Sequence, residues 1–147
     1  MPGGLDKSLC SDGLVPHHVV AGALVGPRGA LLAHRRRDRT YYPDCWDLPG
    51  GHIEPGEQAA DALSRELLEE VGVTATITGA SRLRVVEDPD APDGLVLHLW
   101  VVTAWHGEPM NVATDEHDEL RWVTLPEIDS LRLAHPAVKD LLNDVLG

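Results

Sequence analysis

The chain has 147 residues, 43% of them hydrophobic, which is the size of one domain with a core of its own and calls for no second domain. Its formal net charge of −12 excludes broad electrostatic adhesion to nucleic acid or to an anionic membrane, so an anionic substrate has to be met by local positive charge. The apolar runs fall short of a membrane span, Met1 to Pro16 lacks the charged start and apolar centre of a signal peptide, and two cysteines, Cys10 and Cys45, are too few for a disulfide scaffold; the expected location is the cytoplasm.

Residues 1–16 carry Gly, Ser and Pro without a period and read as a loose arm, with the folded domain expected over 17–147. His17 to Val25 is apolar and β-branched, and a Gly-Pro-Arg-Gly turn joins it to a second strand from Ala30 to His34, which makes a hairpin. The hairpin leads into Arg35-Arg36-Arg37-Asp38-Arg39, the only basic cluster of an acidic chain. It is either a solvated loop or a place where one or two arginines grip phosphate through forked hydrogen bonds. Trp46 to Pro49 reads as a short strand, with Trp46 either stacking on a base or plugging the core.

Pro55-Gly56-Glu57 then sets a turn before a helix that runs to Val71 and ends at Gly72. At 100° per residue, Ala60, Leu63, Leu67 and Val71 form a core stripe, and Glu66, Glu69 and Glu70 lie together beside it as i, i+3 and i+4. Like charges at ~4 Å repel by roughly 1 kcal/mol per pair even in bulk water, so a cation is expected among them. Oxygen donors alone suit a hard divalent ion such as Mg²⁺; the plain alternative is a solvated acidic face.

Thr74 to Val86 reads as one strand or as two joined at Gly79, with Ile77, Leu83, Val85 and Val86 as apolar markers. Glu87 to Gly94 is an acidic turn, and Leu95 to Trp105 a central strand on which His98 is a satisfied core histidine. An acidic loop, Asp115 to Glu119, precedes a strand from Leu120 to Val123. Thr124 and Pro126 start a helix, and Pro136 to Leu146 is a closing helix with Val138, Leu141, Leu142 and Val145 inward. Strands on both sides of a central helix, with more helix at the end, predict an α+β domain, an α/β/α sandwich around a mixed sheet.

One pattern is more specific. Gly51, five residues, Glu57, seven residues, Arg65-Glu66-Leu67, one residue, Glu69-Glu70, one residue, Gly72-Val73 resembles the Nudix box at every specified position. At roughly 7% per specified residue, a chance match of the seven non-hydrophobic positions is on the order of one in 10⁸ per window.

The resemblance implies the Nudix fold and metal-assisted hydrolysis of a nucleoside diphosphate linked to a group X. It implies one to three Mg²⁺ ions, with Mn²⁺ as a substitute, held by Glu66, Glu69 and Glu70 and by the Gly50 carbonyl. Glu57 resembles the accessory acid and Arg65 the arginine that orients the glutamates. Arg35 or Arg36 stands where such enzymes carry a phosphate-binding arginine. Glu116, or else Glu119, resembles the loop acid that joins the metal or acts as base, which leaves Glu66 and Glu116 as rival bases. Trp105-His106-Gly107-Glu108-Pro109 resembles the same stretch of MutT-type nucleoside triphosphate pyrophosphohydrolases, which favours a (d)NTP cleaved to monophosphate and pyrophosphate. Pro89 hints instead at an ADP-ribose or nucleotide-sugar substrate. A non-catalytic nucleotide sensor would lack box glutamates or carry a DNA-binding segment, and neither feature is present. The expected partner is a small-molecule nucleotide, bound by a monomer or homodimer.

Overall fold

The computed structural model describes residues 17–40, 42–88 and 91–147. The expected arm over 1–16, Cys10 and Pro89 lie outside the described residues.

Strand β1 (His17–Gly26) is the axis of the sheet. Its apolar run is buried on both faces, because Val20 and Leu24 enter one core cluster while Ala21 and Ala23 enter the other. Along one edge it runs parallel to β7 (Ala91–Val102), from His17 against Leu95 to Leu24 against Val102. Its other edge is shared between two antiparallel partners: β2 (Gly29–Arg35) pairs at Val25 and Gly26, and β4 (Gly50–His52) pairs at Val19 to Ala21. Beyond β2 lie β3 (Cys45–Asp47) and β9 (His117–Val123), and beyond β7 lies β6 (Arg82–Asp88). Helix α1 (Ala59–Val71) covers one face, while the short α2 (Leu125–Ile128) and α3 (Pro136–Leu146) cover the other. The result is the expected α/β/α sandwich on a mixed sheet.

The expected α3 boundaries match residue for residue, and Gly72 closes α1 in the left-handed region at φ 73°. Of the two readings of the stretch from Thr74, the structure takes the pair of strands, divided near Gly79 into β5 (Thr74–Ala75) and β6, which belong to different sheets. Other expectations are corrected. Trp105 lies past the end of β7, in β8 (Trp105–His106), which pairs with β5 in a separate two-stranded sheet. The acidic turn read from Glu87 to Gly94 is mostly strand, because Asp88 pairs with Ala91 across the β6–β7 hairpin. Leu83 and Val85, read as apolar markers, are 60% and 78% exposed, since α1 does not reach this edge. His98 is half-buried, and its Nε2 lies 3.1 Å from Nδ1 of His18. No helix among the described residues is long and apolar enough to cross a membrane.

Candidate active site

Two segments fold against the C-terminal half of α1 and fix its acids. The first is β4. Gly22 N–H donates to the Pro49 carbonyl at 3.0 Å, and Gly50 pairs with Ala21 so closely that a Cβ would strike Val20 O. The same approach puts Gly50 N–H 3.3 Å from Glu70 Oε1. At Gly51 a Cβ would run into the Glu66 carboxylate. Adjacent glycines therefore let one strand touch two carboxylates of the helix.

The second segment is the chain between β8 and β9, laced to the end of α1 by Met110 N–H to Val71 O and Val112 N–H to Glu70 O, both at 3.0 Å. It brings the buried His117 ring to Glu70, with Nε2 3.9 Å from Oε1. Burial pushes His117 down to about 4, with Arg35 and Arg39 adding to the shift, so the ring is neutral at pH 7. Its Nδ1 and the Oδ1 of Asn111 are buried without a hydrogen-bond partner among the described residues, although Asn111 Nδ2 holds the His117 carbonyl at 2.7 Å.

Arg65 organises the acids on the outer side. Its Nε and Nη2 fork onto Glu57 at 2.9 and 3.0 Å, and its Nη1 reaches Glu66 at 3.0 Å and Glu69 at 3.3 Å. Nη2 also donates to the His52 carbonyl, and Glu54 stands 3.8 Å from Nη1. Its hydrogen bonds hold Glu57 below the usual carboxylate range.

Exposure of the three helix carboxylates is graded: 59% for the Glu69 side chain, 14% for Glu66 and 3% for Glu70. This corrects the helical wheel. Glu70 follows Leu63 and Leu67 at helical spacing and is buried with them on the core stripe, while Ala60 is only half-buried. Burial drives the Glu70 carboxyl well above its ordinary range, and a hydrogen bond from its protonated form to Glu66 and the charges of Glu66 and Glu116 push the same way against the Gly50 N–H.

The buried Glu70 carboxyl thus lies beside Glu66, which Arg65 reaches at 3.0 Å, while no cationic side chain is in hydrogen-bonding contact with Glu70 itself among the described residues. The oxygen-only donors and this surplus of buried negative charge fit a hard divalent cation. Among the described residues no three His, Cys, Asp or Glu side chains already stand as a cage around one point.

Of the residues singled out in the sequence, Gly50, Glu57, Arg65, Glu66, Glu69 and Glu70 come together. Glu116 lies at the same end, its backbone carbonyl accepting from Arg36 N–H and its carboxylate 3.8 Å from Arg39. Glu119 falls on β9 rather than in the loop, and its exposed carboxylate goes to Arg121 at 3.2 Å. Arg35 Nε donates to Tyr42 O at 3.0 Å, and its charge opposes the burial that lifts Asp47 to about 6. Arg36 forks onto Asp38 at 3.1 and 3.2 Å. Trp46, 8% exposed, plugs the core on the α3 side beneath the Arg121 guanidinium, so the stacking role is set aside. Cys45 is a buried free thiol, pushed up to about 11 by that burial. Sequence reasoning did not single out His117 or Glu54, and it held Arg39 only as one member of the basic run; adjacency to Glu116 was the only signal for His117, and it says nothing about burial.

The NUDIX domain family model matches residues 15–145. A CTP pyrophosphohydrolase of Escherichia coli (strain K12) is 33% identical over 112 residues, covering 74% of this chain and 76% of that protein. An 8-oxo-dGTP diphosphatase of the same strain is 32% identical over 91 residues, covering 62% and 69%. Among solved structures, a MutT NUDIX hydrolase from Burkholderia pseudomallei matches with a TM-score of 0.74 at 28% identity, over 89% of this chain and 98% of that one.

Proposed function

Since the chain belongs to the Nudix hydrolase family, we propose that it cleaves a phosphoanhydride of a nucleoside triphosphate in a magnesium-dependent reaction, releasing nucleoside monophosphate and pyrophosphate. The observation that carries this reading is the buried Glu70 carboxyl, pressed against Glu66 beside Glu116 with no cationic side chain in hydrogen-bonding contact with it among the described residues. The relatives named for CTP and 8-oxo-dGTP support a triphosphate substrate.

When bound, a divalent cation supplies charge that neutralises phosphate oxygens and makes a water more acidic. Glu66, Glu69 and Glu70, with the Gly50 carbonyl and Glu116, would hold it. Arg65 orients this set, because one guanidinium ties Glu57, Glu66 and Glu69 together. Glu66 and Glu116 are the two carboxylates that can take the proton of the attacking water. Glu116 is the less constrained, since its nearest cation is 3.8 Å away while Glu66 is hydrogen-bonded to Arg65 at 3.0 Å. We place the whole reaction in a domain spanning 17–147 and in the cytoplasm.

Glu70→Gln and Glu69→Gln test the reading. Burial favours the neutral Glu70 carboxyl, so its amide should leave the fold intact while turnover with Mg²⁺ falls roughly a hundredfold or more. Undiminished pyrophosphate release by both variants would refute the site, and a panel of triphosphates with product identification would name the base.

A further inference from the structure

The outer strands β3 and β6 end the main sheet in different ways. At β3 the chain past α2 closes the edge, since Trp46 N–H donates to Arg132 O at 2.8 Å and Ala134 N–H donates to Trp46 O at 2.9 Å. β6 pairs only with β7, and among the described residues no backbone group bonds along its outer edge. An open strand edge is a template for another strand, and charged side chains along it are a common protection. Here the cations are drawn away from it. Arg82 and Arg84 pair with Asp144 and Asp140 of α3, the second at 3.1 Å, which holds both on the α3 face. The alternate positions, Leu83 and Val85, turn to the other face and are 60% and 78% exposed. The remaining large exposed apolar side chains, Leu68, Met110 and Val112, sit on α1 and on the segment whose Met110 and Val112 N–H groups are already bonded to it, so they offer no free strand edge.

We propose that β6 is the contact between two copies of this chain, paired antiparallel about a two-fold axis through Val85. The order of residues along the strand specifies a second copy as the occupant. β6 reads Arg-Leu-Arg-Val-Val-Glu-Asp, positive at its start and negative at its end, with Val85 at its midpoint. About that axis the whole strand overlaps its counterpart: Val85 meets Val85, Leu83 lies opposite Glu87, and Arg82 lies opposite Asp88 of the second copy. Opposite charges placed across paired strands are favourable, and the two-fold axis makes the match occur at both ends. A pairing centred on Arg84 would instead set that arginine against itself. With two arginines and two acids, β6 brings no net charge to the contact, although each chain carries −12. Main-chain bonds along the edge supply affinity, and the apolar pair at the axis excludes water beside them. A contact along one short strand falls at the low end of interface sizes, which sets dissociation at ~10–100 μM.

Sedimentation equilibrium of the full chain, from roughly 1 to 300 μM, tests this. Wild type should pass from monomer to dimer across that range. Val85→Lys sets two ammonium groups against each other at the axis and should weaken dimerisation roughly tenfold or more. Because Val85 is exposed in the single chain, the melting temperature of the dilute variant should stay at the wild-type value. Arg82→Asp and Asp88→Arg should each dimerise poorly alone, since each sets like charges opposite one another. An equimolar mixture of the two should dimerise like wild type, because the mixed pair opposes unlike charges at both ends. A wild type that is monomeric throughout, a dimer untouched by Val85→Lys, or a mixture of the charge variants no more associated than either alone would each overturn the assignment.

Discussion

His117 shows how one side chain ties stability to the site. Its ring is neutral when folded at pH 7 and is driven down to about 4 by burial, against an unfolded value near 6.5. A base with a depressed folded pKa contributes stability that is whole above 6.5 and is lost as pH falls through about 4, on the order of 3 kcal/mol in all. Glu70 has the opposite sign, since a raised carboxyl pKa favours the folded state at low pH and costs stability as pH rises. Comparing wild type with His117→Gln isolates the histidine. Urea unfolding at pH 7 and pH 4 should show the larger acid loss in wild type, and equal losses would mean the ring is not buried as described. Residue type and neighbours gave no access to this, because the burial comes from a loop sewn to α1 by backbone bonds at Val71 and Glu70.

Helix α1 was the most readable element, and its partners the least. Its ends follow from local chemistry: a Pro-Gly turn before it, and a left-handed Gly72 after it. What the helix faces depends on β4, whose Gly51 lies directly against the Glu66 carboxylate. Gly51→Ala should therefore push Glu66 off Arg65 and lower kcat/KM between roughly ten- and hundredfold, with only a small shift in melting temperature because the displaced atoms end a flexible side chain. A large fall in melting temperature with kcat/KM preserved would contradict this account of β4. The β6–β7 hairpin failed for the converse reason. Asp, Pro and Gly between 87 and 94 suggest a turn locally, yet pairing of Asp88 with Ala91 extends both strands through most of that stretch.

Across the whole molecule, a charge of −12 and a buried Glu70 carboxyl beside Glu66 and Glu116 make a bound divalent cation the expected source of added stability. Mg²⁺ should accordingly raise the melting temperature in a concentration-dependent way, by about 2.7 kcal/mol of stability at a hundred times Kd, and Glu70→Gln should abolish most of that gain. A Glu70→Gln melting curve that responds to Mg²⁺ like wild type would place the cation elsewhere. Reaction class, fold class and the membership of Glu57, Arg65, Glu66, Glu69 and Glu70 in one site were legible in the linear order. The clustering of these side chains depends on spacing along one turn and one helix, which propagates through local geometry, while the reaction class came from the resemblance to the Nudix box. For Trp46 the sequence offered both stacking and plugging, and packing decided for the plug. The burial of Glu70 and His117 and the approach of Arg39 to Glu116 were not legible. They arise from contacts between segments as far apart in the chain as residues 39 and 116, and no local pattern encodes which of several similar side chains such contacts will cover.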